Sequence, residues 1–134
     1  ISRSEMRPLF FIACAIFLTR ACSPPSSRTM SDEEILKSGD RLYSRYICNT
    51  CHSLEGEEVY GPPLDGLYMS RVEVIRNGET ITVTADRAYL KKAILDPQFE
   101  EVAGYESKDM PDVHITEKEV DLLVEYLVRM GQTE

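Results

Sequence analysis

The sequence has little with which to bind a metal or staple itself together: two histidines and four cysteines in 134 residues. Cys14 lies in an apolar leader and Cys22 at its end, so only Cys48 and Cys51 belong to the part expected to fold. That excludes a disulfide-rich scaffold. Basic residues are also in deficit, 15 against 23 acids, for a formal charge of −8. Without residues 1–21 the charge becomes −10, because Arg3, Arg7 and Arg20 leave with one acid, Glu5. Nucleic acid is therefore excluded as the expected partner. An acidic surface is instead steered towards a basic patch on a protein, with an on-rate that falls with salt. No internal repeat is visible. The longest apolar run, residues 9–18, is too short to span a bilayer as a helix.

That run does suit the core of a secretory signal, preceded by Met6-Arg7-Pro8, with Met6 a candidate true start. It ends in Arg20-Ala21-Cys22, followed by Ser23-Pro24-Pro25-Ser26-Ser27. A small residue before a cysteine and a Pro/Ser linker after it resemble a bacterial lipoprotein processing site. Cys22 would then receive lipid and tether the chain to a membrane. Leu18 stands one place early for that pattern and Arg20 departs from it, so ordinary signal cleavage and an uncleaved anchor stay open. Residues 1–30 are read as leader and linker, and residues 31–134 as one folded domain. The expected location is the periplasm or the outer face of a bacterial membrane.

Within the domain, Ser31-Asp32-Glu33-Glu34 is a capping box and predicts a helix start. Ile35, Leu36, Leu42, Tyr43, Tyr46 and Ile47 follow at helical spacing, so the helix is expected to reach about Ile47. Residues 53–69 read as loop, broken by Gly56, Gly61, Pro62, Pro63 and Gly66. Asn77-Gly78 predicts a two-residue hairpin turn that sets Arg76 opposite Glu79, Val74 opposite Ile81 and Val72 opposite Val83. A short helix is expected over residues 86–95, ended by Asp96-Pro97. Residues 98–115 read as one long irregular stretch. Thr116-Glu117-Lys118-Glu119 is a second capping box. Val120, Leu123, Val124, Leu127 and Val128 then form an apolar stripe that Gly131 closes.

The chemistry lies in Cys48-Asn49-Thr50-Cys51-His52, the C-x-x-C-H pattern of haem c attachment. Two thiols at this spacing reach the two vinyl groups on one porphyrin edge, and the next residue projects an imidazole to the iron. A thioredoxin-like pair would need a βαβ context, but the motif here follows a helix. Half a zinc site would need a second pair of ligands, and His114 is the only other histidine. The reading is one covalent haem c held by Cys48 and Cys51, with His52 as a metal ligand. Met69, Met110, Met130 and His114 are the candidates for the second axial position. Met110 is favoured, because Pro111 stiffens a loop that can carry it over the haem. Its thioether is a soft ligand that favours ferrous iron. Should Met110 not bind, the alternative is a five-coordinate haem protein that takes a diatomic gas or peroxide. No distal cluster of His, Arg or carboxylate supports peroxide chemistry.

With the motif set between two helices, residues 33–130 resemble the class I monohaem cytochromes c. The resemblance implies a mainly α fold, helices around one covalent haem, here with a small β-hairpin insertion. It implies a tight crossing of the first and last helices, with Gly39 and Tyr43 on one and Tyr126 on the other. Gly61-Pro62-Pro63-Leu64-Asp65-Gly66-Leu67 matches the loop after the haem motif. By resemblance Pro63 sits near the His52 ring, a loop carbonyl accepts the ring N–H, and Met110-Pro111 carries the axial ligand. Residues 83–90, 94–97 and 102–105 are similar to the cytochrome c domain fused to subunit II of bacterial haem–copper oxidases. The copper-binding domain of that subunit has no counterpart in these residues, so the resemblance implies a freestanding relative. The charged run Glu106-Ser107-Lys108-Asp109 before Met110 is a further departure. The implied role is electron transfer in a respiratory chain with redox protein partners. It is not an enzyme's, although the chain could serve as a haem subunit of an oxidoreductase complex.

Overall fold

The computed structural model describes residues 29–132. The leader, the linker and Cys22 lie outside the described residues. Both capping boxes form as read. Ser31 and Glu34 start α1 (Asp32–Arg45), and Thr116 and Glu119 start α3 (Glu117–Met130). Each box satisfies backbone donors that would otherwise be orphaned at a helix start.

The two helices cross where Gly39 meets Tyr126. A Cβ on Gly39 would stand 2.2 Å from the Tyr126 Cβ, so only a residue without one lets the backbones approach this far. The Tyr43 and Tyr126 rings tilt against each other at 49°, 6.1 Å apart. They join Leu42, Leu123 and Leu127 in one half of the core. Ion pairs fasten the crossing at both ends: Arg129 to Asp32 at 2.7 Å and Arg45 to Glu119 at 3.2 Å.

The hairpin forms β1 (Arg71–Arg76) and β2 (Glu79–Thr84) in the register read from the sequence, from Arg76↔Glu79 to Arg71↔Thr84. Asn77 and Gly78 both take positive φ, 55° and 81°, as the tight turn requires. Val74 on its inner face is wholly buried. α2 (Arg87–Leu95), capped by Asp86, sets Leu90 against Val120, Val124 and Val128 in the second half of the core.

Two expectations need correction. α1 stops at Arg45, two residues short of Ile47, whose φ of 52° is left-handed. The chain must leave the helix there to begin a separate 3-10 turn at Cys48. The stretch 98–115 is also not wholly irregular. Glu101–Val102 forms β3, which pairs with β1 through Val74↔Val102 and Ile75↔Glu101. The hairpin is thus part of a three-stranded antiparallel sheet in the order β2-β1-β3. Two residues are too few for alternation to announce a strand; it exists because β1 offers it an edge.

Candidate functional site

Cys48–Thr50 is a 3-10 turn, and the N–H groups of Cys51 and His52 both donate to the Cys48 carbonyl, at 3.1 and 2.9 Å. One turn thus gathers two thiols and an imidazole. The loop that follows grips the ring. His52 Nδ1 lies 2.8 Å from the Pro62 carbonyl oxygen. A carbonyl only accepts, so Nδ1 carries the proton and Nε2 keeps its lone pair for a metal. Gly61 packs closely against the ring: a Cβ there would stand 2.7 Å from His52 Cε1. Its N–H donates to Cys51 O at 2.6 Å, and Leu64 N–H donates to Ser53 O at 2.8 Å. From α1, the Tyr43 hydroxyl donates to the His52 carbonyl at 2.6 Å. Burial, with smaller contributions from Cys48 and Tyr126, pushes the Tyr43 phenol up to about 12, so it remains a donor at neutral pH.

Cys48 and His52 open on a cavity whose walls are mostly apolar, among them Leu90, Ile94, Leu123 and Leu127. The sheet contributes Val72 and Val102. Met110 borders the same cavity, and its carbonyl accepts from Gln98 Nε2 at 2.9 Å. Of the four candidates for the second axial position, only Met110 lines this space. Met69 is 58% exposed, Met130 packs on the helix crossing, and His114 is exposed. Cys51 is half-buried on the motif turn. Pro63 borders a separate shallow hollow, and the carbonyl that meets the ring belongs to its neighbour Pro62.

The charged run before Met110 has a definite path. Gly104 turns with φ of 90° and donates to the Glu106 carboxylate at 3.0 Å, a bond that holds that carboxyl below its usual range. The Lys108 ammonium sits over the Tyr105 and Tyr60 rings, at 5.0 and 5.7 Å. Glu100 also borders the cavity. Its side chain is 2% exposed and paired with Arg76, and its Oε2 has no hydrogen-bond partner among the described residues. Gln98, Glu100 and the Pro62 carbonyl escaped sequence reasoning. Their partners lie 10 to 24 residues away with no spacing rule to link them.

Burial pushes the Cys48 thiol up, opposite to the lowered thiol of a reactive redox pair. Among the described residues no three His, Cys, Asp or Glu side chains gather as a metal site. The cytochrome c family model matches residues 36–131, well over half the chain. The chain belongs to the cytochrome c family. Its structure is similar to that of a cytochrome c from Rhodothermus marinus, with a TM-score of 0.54 and 18% identity. The match covers 84% of this chain and 92% of that one, and it is a likeness of fold. No curated protein sequence matches.

The mainly α cytochrome c fold with its β-hairpin is therefore shown, with a third strand added. The family carries haem bound through paired cysteines and transfers electrons to and from redox partners. Cys48 and Cys51 stand at its spacing. The donor set here fits that group: two thiols beside an imidazole with a free Nε2, and a thioether bordering the same apolar cavity.

Proposed function

We propose that the chain is an exported monohaem electron carrier in which Cys48 and Cys51 would hold a single haem c through their sulfurs, and His52 and Met110 would supply the ligands to its iron. The observation that carries this reading is the shared cavity: His52, its Nδ1 tied to the Pro62 carbonyl, borders the same apolar space as Met110. When bound, the haem supplies one-electron exchange at its iron. The chain's own residues do the rest. The Pro62 carbonyl fixes the imidazole tautomer and strengthens it as a ligand. Gly61 and Tyr43 hold the ring and its backbone in place. Leu90, Leu123 and Leu127 give the site an apolar wall. A thioether ligand raises the potential relative to a second imidazole.

The acidic charge favours a redox partner with a basic docking patch. Similarity to the domain fused to oxidase subunit II favours a respiratory oxidase or reductase as neighbour. Cys22, if lipidated, would hold the carrier at the outer face of a bacterial membrane and raise its local concentration there. Free shuttle and fixed haem subunit both fit these features. Purification in mild detergent separates them, since a fixed subunit co-elutes stoichiometrically with others.

The ligand assignment has its own test. The oxidised protein should show the weak red charge-transfer band of an iron–sulfur bond. Met110→Ala should abolish it and give a high-spin form that binds carbon monoxide when reduced. A band that survives the substitution removes Met110 from the iron. A native protein that is already high-spin supports the five-coordinate alternative.

A further inference from the structure

Met110 sits on a segment that its own backbone does little to hold. β3 ends at Val102, and the Lys108 N–H donates to Tyr105 O at 2.9 Å. Beyond it, no N–H of residues 109–114 bonds to another backbone group among the described residues. A stretch so sparsely bonded opens locally at little cost unless side chains hold it.

Two side-chain contacts bear on it. Gln98 Nε2 donates to the Met110 carbonyl at 2.9 Å and ties it to the turn after α2. The Lys108 ammonium lies over two rings, 5.0 Å from the centre of Tyr105 and 5.7 Å from that of Tyr60. A ring face attracts a cation through its negative quadrupole. Tyr105 belongs to the same segment as Met110. Tyr60 does not: it precedes Gly61 and Pro62, the two residues that hold the His52 ring. Among the described residues no hydrogen bond or ion pair joins 53–67 to 103–115, so Lys108 on Tyr60 is the polar link between them. Nor does this ammonium pair with a carboxylate among the described residues, in a chain with 23 acids. Its neighbour Glu106 is taken by the Gly104 N–H.

We propose that Lys108 is a positioning residue for the iron: it clasps the Met110 segment to the His52 loop and so sets how easily a small ligand displaces the thioether. This rests on Met110 as the axial ligand. Lys108 and Tyr105 border the cavity beside Met110, so what loosens them loosens the wall that carries the thioether. The clasp lies at the surface, with Tyr60 49% exposed, so it holds the segment without locking it.

Titration of the oxidised, haem-loaded protein with imidazole tests this, because binding of that neutral ligand removes the red iron–sulfur band. Lys108→Gln should bind imidazole about 2- to 5-fold more tightly than the native protein, the range for an exposed cation–ring contact. Lys108→Arg should restore the native affinity, since a guanidinium also stacks on aromatic faces. Tyr60→Leu should match Lys108→Gln, and the double variant should bind little tighter than either alone. An unchanged affinity in Lys108→Gln would overturn the clasp. So would a gain undiminished in the Tyr60→Leu background, which would reflect lost charge and not a lost contact. A native protein with no red band contradicts the Met110 ligation itself, and the clasp falls with it.

Discussion

Gly61 has no room for a side chain, and that fact reaches the iron ligand. Gly61→Ala would place a methyl 2.7 Å from His52 Cε1 and 3.0 Å from the Cys51 carbonyl, so the ring must give way. The expected result is a weakened bond to Pro62 and a lower yield of haem-loaded protein, read from absorbance per mole of chain. An unchanged yield and spectrum would show that the ring is not held from this side. Tyr43→Phe removes a hydroxyl that donates to His52 O at 2.6 Å. Net loss of such a bond costs about 1 kcal/mol, measurable by denaturant unfolding. The motif itself was legible at this scale because five contiguous residues define it. The Pro62 carbonyl was not, since resemblance supplied a loop acceptor without saying which one, and pointed to Pro63 as the ring's neighbour.

At the scale of elements, the α1–α3 crossing is the joint on which the motif rests. Gly39→Ala drives a methyl into Tyr126 at 2.2 Å, backbone against side-chain stem, and should cost about 1–3 kcal/mol or more. Thr116→Ala, which deletes the cap of α3, should cost about 1 kcal/mol. A denaturation series reads both, and Gly39→Ala should be the more damaging. The crossing also predicts a pH dependence. Burial first, then Asp40, raises the Tyr126 phenol above the usual range. The unfolded chain therefore loses this proton first as pH rises. The stability it contributes is complete below the ordinary phenol range near 10 and is lost as pH climbs through the raised folded value. Tyr126→Phe should flatten that alkaline decline in an unfolding series. Helices and hairpin were legible because capping boxes, stripes and Asn77-Gly78 act through neighbours in sequence. The early stop of α1 and the strand Glu101–Val102 were not. The first is set by the turn at Cys48 and the second by an edge on β1 nearly thirty residues upstream.

For the whole molecule, charge governs encounter. A chain with a formal charge of −8 should exchange electrons faster with a basic redox protein than with an acidic one. The rate with the basic partner should fall steeply between low and physiological salt, which stopped-flow absorbance would record. A rate indifferent to salt would show that charge serves solubility alone. The cavity belongs to this scale too. Its walls come from α1, the motif loop, the sheet, α2, the 98–110 stretch and α3, and no local pattern in the sequence announces that they meet. The pairing of Arg76 with the buried Glu100 at its wall has the same origin, two residues 24 apart joined only by the fold. The central claim is that one haem is bonded to Cys48 and Cys51. Intact-mass and peptide mass spectrometry of the coloured protein, purified from cells that mature such cofactors, tests it directly. The account predicts the mass of one haem added to the peptide that spans Cys48 to His52. A colourless protein whose two cysteines alkylate as free thiols would contradict it.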